Sequence, residues 1–342
     1  MEKKRYLWLD IIKIIACFLV IVNHTILIMF DYSAHSNISV LFFSIYFSIC
    51  KVAVPLFITT TGCLLLGKEQ NYKNMIQKTF RIIVPLLVVS LYWFYPAREI
   101  NAAFLLGFAK SVIKSPNPYY LWYLYMLIFL YLLTPLLQKL YAHSNKRDFL
   151  LLFVLLILAG SIPIINTYSF MEVGISPIFR YAFLPNAVLF YIFGKRISEI
   201  ELTKRYFAVS IIVFISFLAI SASSIYIHYL KYDDLAVRLG GWDYLNVGMP
   251  ALSMFYIVRY LFENRKINFK LSNQISYIAS LTFGIYLCHG VFISRISKII
   301  FTQEVFMVNQ YISIISTQIA IFIVCGLGIA IFKITPVVKK FL

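Results

Sequence analysis

Ten mostly apolar stretches follow one another along this 342-residue chain, near 7–29, 40–66, 80–97, 119–140, 149–167, 178–197, 206–229, 243–262, 275–297 and 309–335. The hydrocarbon core of a bilayer is about 30 Å thick, and about 20 helical residues cross it. In lipid a backbone amide finds no water, so such a run must satisfy its own hydrogen bonds as a helix. The expected fold is therefore all-α, a polytopic membrane protein of about ten transmembrane helices around a central polar cavity. Composition points the same way: 61% of residues are hydrophobic and only 13% charged, with a mean hydropathy of +0.83. A soluble domain carries about 25% charged residues. The stretch from Asn101 to Ser115 is apolar but too short to cross, and reads as an interfacial or re-entrant segment. Lys3, Lys4 and Arg5 precede the first run, as in a signal peptide. Asp10 and Lys13 interrupt that run, however, and no small-residue cleavage site follows it, so it reads as a retained helix. Short loops leave no room for a separate soluble unit, and residues 1–342 read as one membrane domain.

The net charge of +17 is distributed by loop. One alternating set holds Lys3, Lys4, Arg5; Lys68, Lys73, Lys78, Arg81; Lys139, Lys146, Arg147; Lys195, Arg196, Lys204, Arg205; Arg265, Lys266, Lys270; and Lys339, Lys340, nineteen in all. The other set holds six: Arg98, Lys110, Lys114, Lys231, Arg238 and Lys298. Positive loops stay inside, so the first set and both termini are expected in the cytoplasm. Anionic membrane lipids are the partner these clusters fit, and a nucleic-acid partner is not expected. The five cysteines, Cys17, Cys50, Cys63, Cys288 and Cys325, all fall in apolar runs without a CxxC pair. Neither a disulfide framework nor a metal site is expected from them.

An ionisable side chain at membrane depth is costly, which makes each one a candidate functional group. The first run holds Asp10, Lys13 and His24. Asp10 and Lys13, three apart, can form a local ion pair. Lys13 and His24, eleven apart, fall on one helical stripe about 16 Å from each other, so a cation and a titratable ring could line a single cavity. His24 could equally be a satisfied core residue. The ninth run places His289, with Tyr286 one turn before it, at a depth matching His24. The second run holds Lys51, which needs a wet cavity or a carboxylate, and then Thr59, Thr60 and Thr61, which can bond their own helix backbone. Lys78 and Arg81, one turn apart before Pro85, can reach lipid headgroups or a cytoplasmic polyanion.

In this order the pieces resemble the acyltransferase-3 family of membrane O-acyltransferases, most of all the bacterial surface-polysaccharide O-acetyltransferases made of the membrane domain alone. The matching segments are Trp8 to Lys13 followed by His24, a basic-x10-His pattern with Lys13 where the family usually has Arg; Lys51 through Pro55 and Phe57 to Thr61-Gly62; Lys78 with Arg81 and Pro85; Tyr120-Leu121-Trp122-Tyr123 with Tyr131 and Pro135; and Gly284 through Tyr286 to His289.

The resemblance implies transfer of an acyl group, usually acetyl, from cytosolic acyl-CoA to a hydroxyl of a lipid-linked or cell-surface glycan, in the plasma (inner) membrane of a bacterium. It implies acetyl-CoA as co-substrate, with Lys13, Lys78 and Arg81 toward that polyanion. His24 would be the base, since neutral imidazole suits removal of a hydroxyl proton. His289 would orient the acceptor or stabilise the developing oxyanion. Lys51, Thr61, Trp122 and Tyr286 would contact substrate. Direct transfer is preferred over an acyl-enzyme, with a histidine carrier left open. Two other readings remain at this point: a secondary transporter, against which no internal repeat of spans is found, and a degenerate module without activity.

Overall fold

Polar caps set where several helices of this protein begin. The computed structural model describes residues 6–31, 35–95, 102–168, 186–233, 240–300 and 309–341, and every regular element among them is helical. The helices are α1 (Leu7–Asp31), α2 (Asn37–Cys50), α3 (Ala53–Leu66), α4 (Tyr72–Phe94), α5 (Ala102–Lys114), α6 (Trp122–His143), α7 (Lys146–Tyr168), α8 (Asn186–Ser198), α9 (Lys204–Tyr232), α10 (Leu245–Phe262), α11 (Phe269–Ile300), α12 (Gln310–Phe332) and α13 (Pro336–Phe341), with a 3-10 turn at Tyr119–Leu121 before α6. Ser36, Asn71, Thr203 and Asn309 each accept a hydrogen bond from the backbone N–H three residues on, which caps α2, α4, α9 and α12.

Among the described residues, nine helical stretches are long and apolar enough to cross a bilayer, with α2 and α3 together forming one of them. The chain is an all-α polytopic membrane protein. Of the run expected at 178–197, residues 178–185 lie outside the described residues and the remainder is α8. Lys3, Lys4, Arg5, Arg98, Arg238, Glu172, Glu304 and the side chain of Lys298 also lie outside them.

Two runs differ in detail from the sequence reading. The 40–66 run is two helices that meet at Lys51 and Val52. Pro55 causes the break: it has no N–H to give the Lys51 carbonyl four residues back, and its ring would collide with that carbonyl in a continuous helix. Placed in the first turn of α3, the proline leaves no bond unmade. Helix α4 begins at Tyr72, eight residues before the expected 80, because the Asn71 cap carries a polar first turn that hydropathy alone overlooks. Helix α5 has 13 residues, about 20 Å, too short to span, and its Phe104 packs on Phe94 of α4 with ring centroids 5.3 Å apart.

Helix α1 sits at the centre, packed against α2, α3, α10, α11 and α12. The closest crossing is between α3 and α8. A Cβ on Gly62 would run into the Tyr191 backbone, and one on Gly194 into the Thr59 backbone. Small residues let transmembrane backbones approach this way. Buried Arg259 of α10 closes the end of α8, donating to the carbonyls of Ile197 (2.8 Å) and Ile200 (2.6 Å) and pairing with Glu263. Fully buried Gln318 of α12 donates to Thr25 Oγ1 (3.0 Å) and accepts from the Tyr46 hydroxyl (2.6 Å), which ties α12 to α1 and α2. The terminal α13 folds back on α4.

Candidate active site

Three chambers follow one another beside α1. The widest, about 640 Å³, is at the end of the bundle where α1 begins, and Trp8, Asp10, Lys13, Lys68, Lys78 and Lys195 are on its wall. The middle chamber, about 390 Å³, shares Lys13, Leu64, Leu65 and Lys78 with it and adds Thr60, Thr61 and Arg81. The far chamber, also about 390 Å³, holds Asn23, His24, Lys51, Trp122 and Trp242. Tyr123 and Tyr286 belong to both the middle and far chambers and form the wall between them, with ring centroids 5.7 Å apart.

At the basic end, Lys13 pairs with Asp10 at 3.2 Å, and Ser276 of α11 donates to the other Asp10 oxygen at 3.0 Å. The ion pair open in the sequence is therefore present, yet Lys13 still faces two chambers. Lys78 donates to Gln70 Oε1 at 2.7 Å, and Arg81 is exposed one turn further along α4. Thr59 and Thr61 turn their hydroxyls back onto the carbonyls of Pro55 (2.6 Å) and Phe57 (2.7 Å). Phe341 of α13 reaches the middle chamber from the far end of the sequence.

On the wall of the far chamber His24 meets His289, which is buried behind it. The rings of His24 and His289 lie 5.2 Å apart, and Tyr120 sits against both, at 6.1 Å and 4.5 Å. Two bonds fasten the 3-10 turn to α11: the Tyr120 hydroxyl donates to the Leu287 carbonyl (3.0 Å), and the Tyr286 hydroxyl donates to the Tyr120 carbonyl. His289 is fully buried, with Nδ1 2.5 Å from the Tyr286 carbonyl oxygen. A carbonyl only accepts, so Nδ1 carries the hydrogen, and in the neutral ring Nε2 then keeps its lone pair. Among the described residues that Nε2 has no hydrogen-bond partner. Lys51, at the break between α2 and α3, places its ammonium 4.2 Å from the Phe47 ring centroid. Trp122 packs on Trp242 at 5.5 Å.

His24, Lys51, Trp122 and Tyr286 thus share the far chamber, with His289 behind His24, while Lys13, Thr61, Lys78, Arg81 and again Tyr286 share the middle one. The single cavity suggested for Lys13 and His24 is two, because the Tyr123 and Tyr286 rings fill the space between them. The sequence reading passed over Asn23 and Trp242, and gave Thr60 a bond to its own helix backbone that Thr59 and Thr61 make and Thr60, among the described residues, does not. Asn23 was findable as an amide at membrane depth beside His24. Trp242 lies two residues after Gly240, whose bare backbone admits the Lys51 side chain: a Cβ there would lie 2.8 Å from Lys51 Cε.

The family model for an acyltransferase domain, Acyl_transf_3, matches residues 6–333. No curated protein and no solved structure matches the chain.

Proposed function

The chain belongs to the acyltransferase-3 family, and from that membership we propose that this membrane acyltransferase moves an acetyl group from cytosolic acetyl-CoA to a hydroxyl of a lipid-linked or cell-surface glycan. The observation that carries the reading is the row of chambers, basic at one end and lined at the other by His24 with His289 against it, with Tyr123 and Tyr286 between the middle and far chambers. A coenzyme A thioester is a polyanion with a long arm. Lys13, Lys78 and Arg81 suit its phosphates, and the arm would carry the acyl group to the tyrosine wall.

In the proposed step the acceptor oxygen attacks the thioester carbonyl, and His24 takes the hydroxyl proton. The C–S bond then breaks, leaving an ester on the acceptor and a thiolate that is protonated as coenzyme A. Of the two roles open to His289, orienting the acceptor fits better. The tautomer imposed by the Tyr286 carbonyl leaves Nε2 able to accept a hydrogen bond from a hydroxyl but not to donate one to an oxyanion. The Lys51 ammonium is then the group in that chamber suited to developing negative charge. Trp122, packed at a tilt against Trp242, would offer a sugar ring an apolar face. Cys50 lies along the same chamber, but its thiol donates to the Phe47 carbonyl at 3.1 Å, which favours direct transfer.

The test is incubation of purified protein with radiolabelled acetyl-CoA and lipid-linked glycans, with mass analysis of the product. Acetyl ester on the glycan is expected; release of free acetate with no acylated acceptor would sink the acceptor assignment. For the donor side, Lys78→Ala with Arg81→Ala is expected to raise the acetyl-CoA KM about tenfold or more with kcat little changed, since each charge-assisted bond is worth ~1.5–3 kcal/mol. An unchanged KM would assign both residues to lipid headgroups.

The same reading requires the bundle to sit with its basic loops and both termini in the cytoplasm of a bacterial inner membrane. Single cysteines at Lys73, Lys146, Lys204 and Lys266 are expected to resist an impermeant maleimide in intact cells, while cysteines at Asn37 and Asp233 react. The reverse pattern would put the donor chamber on the wrong side.

A further inference from the structure

Two buried hydrogen-bond donors on residues that line the chambers have no acceptor among the described residues. One is Thr60 Oγ1 in the middle chamber, on a residue 2% exposed; the other is Trp8 Nε1 in the widest chamber, on a residue 3% exposed. Burying a donor without an acceptor is unfavourable, and native structures rarely leave one so without reason. Thr60 is the sharper case. A threonine inside a helix ordinarily bonds the carbonyl four residues back, and Thr59 and Thr61 on either side do so. Thr60 makes no such bond among the described residues, and the residue lines the middle chamber. Trp8 is fixed by an edge-on contact with Phe255, ring centroids 5.1 Å apart, on a wall shared with Lys13, Lys68 and Lys195.

The chemistry these donors fit is that of a ligand carrying acceptor oxygens along its length and entering from the basic end. We propose, resting on the acetyl-CoA reading above, that Thr60 donates to an amide or thioester carbonyl of the donor's pantetheine arm in the middle chamber. Trp8 donates to an oxygen of its nucleotide part in the widest one. The donor's acceptor oxygens thereby satisfy groups that the empty protein leaves unpaired. Neither residue takes part in the proton transfer. They set the depth to which the arm enters, and so the distance of the acyl carbon from the tyrosine wall.

The proposal makes an unusual demand of one substitution. Thr60→Val keeps the shape of the side chain and removes an unsatisfied hydroxyl, so the ligand-free protein should melt at or above the wild-type temperature. Its affinity for ligand should fall nonetheless. Calorimetric titration with two probes, acetyl-CoA and acetyl-pantetheine, reads this out. Thr60→Val should weaken both by about three- to tenfold, and Thr60→Ser should restore both. Trp8→Phe should weaken acetyl-CoA by a similar factor and leave acetyl-pantetheine unchanged. If Thr60→Val melts lower and binds both probes as tightly as wild type, the hydroxyl serves the fold and the proposal is overturned. A Trp8→Phe protein with wild-type affinity for acetyl-CoA takes Trp8 off the donor path. Wild-type protein that binds neither probe overturns the acetyl-CoA reading itself, a failure distinct from the other two.

Discussion

His24→Ala is expected to lower turnover by about 10²–10⁴-fold, the usual contribution of a general base, while the protein still inserts, folds and binds acetyl-CoA. The expectation of an intact fold comes from where the ring sits. His24 is half-buried on the wall of the far chamber, so removing it enlarges a polar cavity and does not open a void in the packed core. The donor groups Lys13, Lys78 and Arg81 stand in the neighbouring chamber behind Tyr123 and Tyr286, so donor affinity should stay near wild type. Detergent-solubilised protein lets affinity, melting and product formation be measured on one sample. Wild-type activity should also fall as pH drops through the imidazole pKa, because the base must be neutral to take a proton. If the variant keeps more than about a tenth of wild-type turnover, the base is elsewhere. His289 would be the next to test, since its unpartnered Nε2 carries a lone pair and its ring is 5.2 Å from that of His24.

The matching depth of those two rings was legible in the sequence, though not their contact. Each histidine sits at a depth fixed by counting residues along its own helix, and helices in a bilayer are held to a common frame. The same arithmetic put Lys13 and His24 on one stripe, which they share, and in one cavity, which they do not. What separates them is a pair of tyrosine rings from α6 and α11, and side-chain volume between helices has no periodic signature. The break at Lys51 was written in Pro55, but hydropathy is blind to it because the apolar run continues across. Arg259 and Gln318 were hidden for a related reason. Glu263, four residues after Arg259, could be counted off, but the Arg259 bonds to the end of α8 and the Gln318 bonds to α1 and α2 reach helices far away in sequence and could not. Trp242 reaches the far chamber from a glycine-containing loop, where chain direction follows no period at all.

The other large effect should come from a residue with no side chain. Gly62→Ala or Gly194→Ala is expected to remove most folded protein, or to leave it destabilised at or beyond the ~1–3 kcal/mol typical of overpacking. At both positions the added methyl would land on backbone, the Tyr191 carbonyl for Gly62 and the Thr59 carbonyl for Gly194. A side chain in the way could swing aside, but a helix backbone cannot, so α3 and α8 would have to part along their whole contact. Nor would water reward the separation, because in a bilayer helix association rests on close packing and hydrogen bonds. Parting them should also disturb chemistry, since Thr60 and Thr61 on α3 wall the middle chamber and Tyr191 bonds Thr134 of α6 at 2.7 Å. Gly326→Ala supplies the internal control: its Cβ would meet nothing nearer than Ile285 Cδ1 at 3.7 Å, an ordinary contact, and alanine is the better helix former. Size-exclusion profiles and melting of the three variants side by side decide the matter. Gly326→Ala should match or exceed wild type while the other two aggregate or melt early. If Gly62→Ala and Gly194→Ala are as stable as Gly326→Ala, α3 and α8 do not cross this closely, and the middle chamber is bounded differently.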